Sequence, residues 1–144
     1  MTIQIEPLAP SAEVIALLQA CELPSADIAS SPTLRLLGHR VGSTLVGAVG
    51  LEIYPPDALL RSAAVLSAHR GAGIARALVA AAETEAAALG IRSLYLLTET
   101  AERFFLKLGY GPVNRADVPT AIRTTAEFTK LCPASARCLR KMLA

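Results

Sequence analysis

The chain has 144 residues, of which 53% are hydrophobic and 18% are charged, and its net charge is +2. A chain of this length and apolar content can bury a hydrophobic core, so we expect one folded domain over residues 1–144 rather than a disordered chain. The basic residues are scattered and are not interleaved with aromatic side chains, which argues against nucleic acid as a partner. No apolar run reaches the roughly 18 residues that a membrane-spanning helix needs, so no membrane partner is expected.

The N-terminal residues and the cysteines bear on the cellular compartment. The stretch MTIQIEPLAP has neither the basic nor the apolar region of a secretory signal. Three cysteines, an odd number, are more typical of a reduced protein than of a disulfide framework. We therefore expect a cytoplasmic protein.

The first half of the chain alternates apolar runs with turn residues. Ser11 is a good helix N-cap, and helical spacing continues to about Cys21. Gly42-Ser43-Thr44 predicts a hairpin turn, and Pro55-Pro56-Asp57 predicts a second loop. The pattern predicts a helix near residues 11–21 and strands over 3–5, 34–41, 45–54 and 60–66.

The second half contains the clearest helix, which begins near Gly73 and stops before Gly90. A continuous apolar run over 91–98 indicates a buried central strand. Further helices are predicted over 100–108 and 118–131, and further strands from 110–113 and 136–142. This order of elements predicts a mixed α/β sheet.

A glycine-rich turn joins the strand ending near Leu66 to the helix beginning at Gly73. Small residues let an anion approach the backbone, and free N–H groups at a helix N-terminus attract it. The turn has neither the Lys-Ser/Thr of a Walker loop nor the third glycine of a dinucleotide fingerprint. It therefore predicts a phosphate site of another kind, formed by Arg70, Gly71, Ala72, Gly73, Ile74 and Ala75.

This turn resembles the acetyl-CoA pyrophosphate loop of the GNAT superfamily of N-acetyltransferases, whose pattern Gln/Arg-x-x-Gly-x-Gly/Ala is matched by Arg70, Gly73 and Ala75. The segment TETAERFFLKLGY resembles the second segment of that family. The resemblance implies a GNAT fold of the α/β (α+β) class, with a mixed sheet of six to seven strands splayed between strands 4 and 5 and flanked by helices. It also implies acetyl-CoA as co-substrate, a small-molecule amine as acceptor and, by analogy, a homodimer.

The resemblance also implies roles for individual residues. The Val65 backbone N–H would polarise the thioester carbonyl, as in an oxyanion hole. Phe105 stands where many members carry the tyrosine that protonates the leaving thiolate. Two alternatives follow: acetyl transfer proceeds without a protein acid, or the domain binds acetyl-CoA without catalysing transfer. Glu52 is the candidate base, with an exposed strand carboxylate as the alternative reading, and Glu99 is a second candidate. The expected cofactor-binding residues are Val65, Arg70, Gly71, Ala72, Gly73, Ile74, Ala75, Thr98 and Phe105.

Four strings point to a narrower group: LLRSAAV, LYLLTETAERFFLKLGY, NRADVPTAIRTTAEF and LCPASARC. Together they resemble the short N-acetyltransferases of bacterial arsenic-resistance operons, and more weakly the acetyltransferase domain of N-acetylglutamate synthases. The resemblance implies an amino-acid-like acceptor in arsenic-linked resistance, with glutamate N-acetylation in biosynthesis as the alternative. Phe105 and the cysteines favour a further alternative, a non-catalytic module that binds acetyl-CoA or an arsenical.

Such an acceptor needs cations for its acidic groups, and the candidates are Arg61, Arg115 and Arg123, each of which also reads as a surface arginine. Cys132 and Cys138 would hold trivalent arsenic if they converge, or are small buried apolar residues. The sequence predicts no metal site.

Overall fold

The computed structural model describes residues 3–143, which form a seven-stranded sheet in the order β1-β2-β3-β4-β5-β7-β6. No helix among these residues is long and apolar enough to cross a membrane. The strands are β1 (Glu6–Leu8), β2 (Leu34–Val41), β3 (Thr44–Tyr54), β4 (Asp57–Val65), β5 (Ser93–Thr98), β6 (Gly111–Pro112) and β7 (Arg137–Met142). The helices are α1 (Ala12–Ala20), α2 (Ile74–Ala88), α3 (Glu102–Lys107) and α4 (Thr120–Arg123).

The first four strands form an antiparallel meander. The predicted loop after Tyr54 is a tight hairpin, because Tyr54 pairs directly with Asp57 and β4 begins there, earlier than predicted. The first strand also lies later than predicted, and it contains Pro7. Proline is tolerated there because β1 is an edge strand.

Two helices cover opposite faces of the meander. Along β3, Ala48 packs in the cluster of α1, whereas Val49 packs in the cluster of α2. Adjacent residues of a strand point to opposite faces, so the sheet is sandwiched between the two helices. On α2, Leu78 and Ala82 are fully buried, and the alanine-rich face lets the helix lie close to the sheet.

The sheet splits between β4 and β5, as predicted for strands 4 and 5. Their parallel pairing comprises three residue pairs and ends at Leu59 and Tyr95. Beyond that point β4 continues to Val65 without β5, whereas β5 stays paired with β7 as far as Thr98. The split therefore opens a wedge whose two walls are β4 and β5.

The helix predicted over 118–131 is not continuous. The segment forms the short α4 and then a π-helical segment, Glu127–Leu131. Between them the hydroxyl groups of Thr124 and Thr125 donate to the carbonyls of Thr120 and Ile122 at 2.9 and 2.7 Å. Such side-chain bonds to the backbone compete with a regular helix.

Candidate functional site

Three neighbouring cavities follow the wedge. We call them the loop cavity, of about 310 Å³, the middle cavity, of about 280 Å³, and the inner cavity, of about 360 Å³. The loop cavity is lined by Val65, His69, Arg70, Gly71, Gly73, Ile74, Ala75, Arg76 and Phe104. The middle cavity is lined by Cys21, Leu23, Ala63, Ala64, Val65, Arg70, Ala75, Leu78, Thr100, Ala101, Phe104 and Phe105.

The inner cavity lies at the other end of the row and shares six lining residues, among them Cys21 and Phe105, with the middle cavity. It is lined by Cys21, Glu22, Leu23, Pro24, Leu60, Arg61, Ser62, Ala63, Leu96, Leu97, Thr98, Glu99, Thr100, Ala101, Phe105, Glu127, Cys132 and Ala136. Each cavity is of the size that holds a small molecule or part of one.

The glycine turn forms the loop cavity and leads into α2. Gly71 and Gly73 have φ of 83° and 84°, values that strain any residue with a Cβ, and Gly73 is the N-cap of α2. The first intrahelical bond runs from the Ala77 N–H to the Gly73 carbonyl. The earlier N–H groups of α2 therefore lack intrahelical partners, as at any helix start, and they can bind an anion.

Val65 turns its backbone polar groups towards the wedge. The Leu66 N–H donates to the Val46 carbonyl on β3, and successive N–H groups of a strand point to opposite sides. The Val65 N–H and carbonyl therefore face away from β3. Its carbonyl accepts from Arg70 Nε at 2.9 Å and from Cys21 Sγ at 3.5 Å.

A bulge in β4 lies between Val65 and the paired part of the strand. Gly50 pairs with Arg61 and Ala48 pairs with Ala64, so two residues of β4 lie opposite Val49 alone. Ser62, within the bulge, has a left-handed φ of 58°. The bulge brings the neighbouring side chains of Arg61 and Ser62 to the same cavity, where Arg61 Nε donates to Ser62 Oγ at 3.1 Å.

Arg61 is the centre of a buried cluster of charges, and its side chain is 0% exposed. Its Nη1 and Nη2 atoms donate to both carboxylate oxygens of Asp27 at 2.6 and 2.8 Å, and Nη1 also donates to Glu52 at 2.9 Å. Burial opposes the charge of Arg61, but the hydrogen bond to Asp27 and the surrounding carboxylates raise its pKa overall. Burial likewise opposes ionisation of Asp27, but Arg61 holds its pKa below the usual value.

Glu127 is the third carboxylate of the cluster and the least satisfied. It is 5% exposed, and its Oε2 lies 3.7 Å from Arg61 Nε, within ion-pair range but without a hydrogen-bond partner in residues 3–143. Among the described residues its Oε1 accepts only from Cys132 Sγ, at 3.7 Å. Burial, opposed by Arg61 and reinforced by Glu52, raises the pKa of Glu127 to about 7. Burial and Glu127 in turn raise the pKa of the Cys132 thiol to about 12.

The structure brings most of the expected cofactor residues to the row of cavities. Thr98 lines the inner cavity, and its Oγ1 accepts from the Ala101 N–H at 2.9 Å. Phe105 is 5% exposed and lines both the inner and the middle cavity. Ala72 belongs to the same turn as Gly71 but does not line the loop cavity.

Other expected site residues lie elsewhere. Glu52 is 3% exposed and lines none of the three cavities, and its two oxygens accept from Arg61 and from the Tyr54 hydroxyl. Arg115 donates to the Pro133 and Ala136 carbonyls. Arg123, which is exposed, donates to a threonine of its own helix.

The cysteines are arranged differently from the expected pair. Cys132 lines the inner cavity, but Cys138 packs in a separate cluster around Leu59 and Tyr95. Cys21, which the sequence did not single out, lines the inner and middle cavities. Among residues 3–143 no three histidine, cysteine or acidic side chains are grouped as ligands of a metal ion.

Two members of the buried cluster, Asp27 and Glu127, were not foreseen. Asp27 lies in a loop rich in small polar residues, and Glu127 follows a threonine pair in a segment predicted as an ordinary helix. Neither residue carries a local signal of burial, because polar residues such as Thr125, Thr129 and Lys130 surround Glu127 in the sequence.

Comparison with known proteins decides the family. The model of the acetyltransferase (GNAT) family matches residues 7–110, which include both walls of the wedge and the glycine turn. The chain belongs to the GNAT acetyltransferase family. The search of curated proteins finds no significant match.

Solved structures share this GNAT fold over nearly the whole chain. N-acetylglutamate synthase from Neisseria gonorrhoeae, complexed with coenzyme A and N-acetyl-glutamate, has a TM-score of 0.80 at 16% identity; the match covers 100% of this chain and 36% of the synthase chain. A GNAT acetyltransferase from Staphylococcus aureus Mu50 has a TM-score of 0.78 at 15% identity, with 98% and 100% covered. PaiA N-acetyltransferase from Thermoplasma acidophilum, in complex with coenzyme A, has a TM-score of 0.73 at 17% identity, with 99% of each chain covered.

The chain thus spans about a third of the synthase. At these identities the likeness establishes the fold, and the reaction has to be argued from the site.

Proposed function

We propose that residues 1–144 form one N-acetyltransferase domain that transfers acetyl from acetyl-CoA to the amine of a small molecule. The observation that carries this proposal is the row of cavities along the wedge, which begins at the glycine turn and ends at a buried carboxylate. Family membership and the coenzyme A in related structures support acetyl-CoA as the donor.

The donor would lie along the row from the loop cavity to the inner cavity. Its pyrophosphate would accept from the N–H groups of residues 71–75, with Arg70 and Arg76 supplying positive charge. The thioester carbonyl would accept from the Val65 N–H, whose direction towards the wedge supports an oxyanion-hole role. Thr98 and Phe105 would contact the arm near the sulfur.

Acetyl transfer also requires a neutral amine, so a group must accept the proton of the incoming ammonium. Glu127 suits this role because it lines the inner cavity and has a pKa of about 7, close to neutral pH. Glu52, the carboxylate expected from the sequence, is held by Arg61 and Tyr54, which favours a supporting role in positioning Arg61.

The resemblance of the C-terminal half to arsenic-operon acetyltransferases supports an amino-acid-like acceptor and a role in arsenic-linked resistance. Glutamate is the alternative acceptor. Both would bring carboxylates into the inner cavity, and Arg61, the cation expected to meet them, is already paired with Asp27 and Glu52.

A binding module without turnover is the second candidate, favoured by Phe105, which has no proton to give to the departing thiolate. The experiment that separates the two incubates the purified protein with acetyl-CoA and a panel of amines, following coenzyme A release and product mass. The panel contains glutamate, its arsinic and phosphinic analogues, amino-acid amides and a lysine peptide. Release with any amine supports the enzyme, whereas tight binding of acetyl-CoA without release with all of them supports the module.

A further inference from the structure

We infer that the inner cavity takes its acceptor as a cation, with the ammonium group against Glu127 and no free carboxylate beside the amine. This inference rests on the proposed acetyl transfer and narrows its substrate class to amines such as amino-acid amides, esters and decarboxylated amino acids.

The charges that line the cavities differ between the two ends of the row. The loop cavity carries Arg70 and Arg76 and no acidic side chain, as suits a phosphate. The charged side chains that line the inner cavity are three glutamates and one arginine. Because opposite charges attract in these partly dehydrated spaces, the inner end favours a cation.

The one arginine of the inner cavity, Arg61, is not free to bind an acidic acceptor. Its side chain is fully buried, and all three of its nitrogens already donate, to Asp27, Glu52 and Ser62. The charges of Asp27 and Glu52 together exceed its own. A substrate carboxylate would have to displace one of these acids, which would leave the buried Glu52 or the half-buried Asp27 without its cation.

Glu127, by contrast, has unused hydrogen-bonding capacity. Its Oε2 has no donor among the described residues, and its Oε1 accepts one weak bond from Cys132. A buried carboxylate with so few donors is stabilised by any group that brings N–H bonds and positive charge. An ammonium brings both, because it carries a positive charge and three N–H donors.

An acceptor that carries a carboxylate would be repelled by the acidic residues of the inner cavity. Its carboxylate would share the inner cavity with Glu127 and with the exposed Glu22 and Glu99, while Asp27 and Glu52, which do not line it, already pair with Arg61. Like charges repel, and Arg61, the cation among the lining residues, is already paired. We therefore expect glutamate to be a poorer acceptor than its carboxamide forms.

The test compares carboxylate and carboxamide partners of equal shape as acceptors for the wild-type protein. The pairs are glycine and glycinamide, leucine and leucinamide, and glutamate and glutaminamide, each with acetyl-CoA at pH 6.5. We expect kcat/KM to be at least tenfold higher for the carboxamide of the best pair. Equal values throughout, or a preference for the carboxylates, would overturn the inference.

Two variants assign that preference to Glu127. In Glu127→Gln the ratio of carboxamide to carboxylate kcat/KM should fall at least threefold, whereas in Glu85→Gln, the same change on α2 away from the cavities, it should not move. The different basicity of amides and amino acids affects both proteins alike and cancels in this comparison. An unchanged ratio in Glu127→Gln would refute the role of Glu127.

Binding measured without turnover keeps this inference separate from the proposed function. Titration calorimetry of the coenzyme A-saturated wild-type protein, in two buffers of different ionisation enthalpy, counts protons released at pH 6.5. Pairing with an ammonium should ionise Glu127 and release about half a proton or more. If no acceptor is acetylated but carboxamides bind with this release, the enzyme proposal fails and the cation site stands. If carboxamides bind no better than carboxylates, or release no proton, the cation site fails.

Discussion

Replacing Glu127 by glutamine should change how the stability of the protein depends on pH. The native state raises the pKa of Glu127 from 4.5 to about 7. The native protein therefore favours the neutral form of Glu127 more strongly than the unfolded chain does. Each tenfold change in an ionisation equilibrium corresponds to about 1.4 kcal/mol, which makes the whole effect about 3 kcal/mol. This stabilisation of the wild type is fully present below pH 4.5, and it is lost as the pH rises through about 7.

Glutamine does not titrate, so the free energy of unfolding of Glu127→Gln minus that of the wild type should rise by about 3 kcal/mol between pH 4.5 and pH 8. Urea unfolding followed by circular dichroism at five pH values measures it. The neighbouring groups Asp27, Glu52, Arg61 and Cys132 are present in both proteins, so most of their pH dependence cancels. A difference that stays flat within 1 kcal/mol, or one that falls with pH, would refute the assignment of a raised pKa to Glu127.

Two further predictions concern the buried arginine and the glycine turn. Arg61→Met should lower the free energy of unfolding at pH 7 by about 3–5 kcal/mol, because it leaves the buried Glu52 and Glu127 and the half-buried Asp27 without their cation; a loss below 1 kcal/mol in urea would contradict this. Gly73→Ala and Gly90→Ala should each destabilise the protein by about 1–2 kcal/mol, since both glycines have φ above 80°. Only Gly73→Ala should weaken the binding of coenzyme A by calorimetry, at least tenfold, and equal affinities of the two variants would remove the turn from the cofactor site.

Much of the architecture could be predicted because its signals are local. Gly42 marks the hairpin between β2 and β3, and the turn at Gly71 and Gly73 marks the start of α2 within one residue. These positions require a backbone geometry that glycine alone adopts easily, so they are visible in the sequence. The split between β4 and β5 followed from the family resemblance, and the strand pairing bears it out.

The buried charge cluster could not be predicted in the same way. Its members come from a loop, two strands and a π-helical segment, and 100 positions separate Asp27 from Glu127. The bulge at Ser62, which turns Arg61 inward, follows from how β4 aligns with β3 and has no mark of its own in the sequence. Arg61 and Glu52 were both singled out from the sequence, but their mutual ion pair depends on strand register.

The short junction between β4 and β5 has a mechanical consequence. The two parts of the sheet are joined there by three residue pairs, from Asp57 and Ser93 to Leu59 and Tyr95. Beyond this junction they can move relative to each other. A molecule bound in the wedge would contact both β4 and β5 and restrain their relative motion. Amide hydrogen exchange should then slow along β7 as well as β5, although β7 does not border the wedge, because the two strands are paired along their whole length and move together.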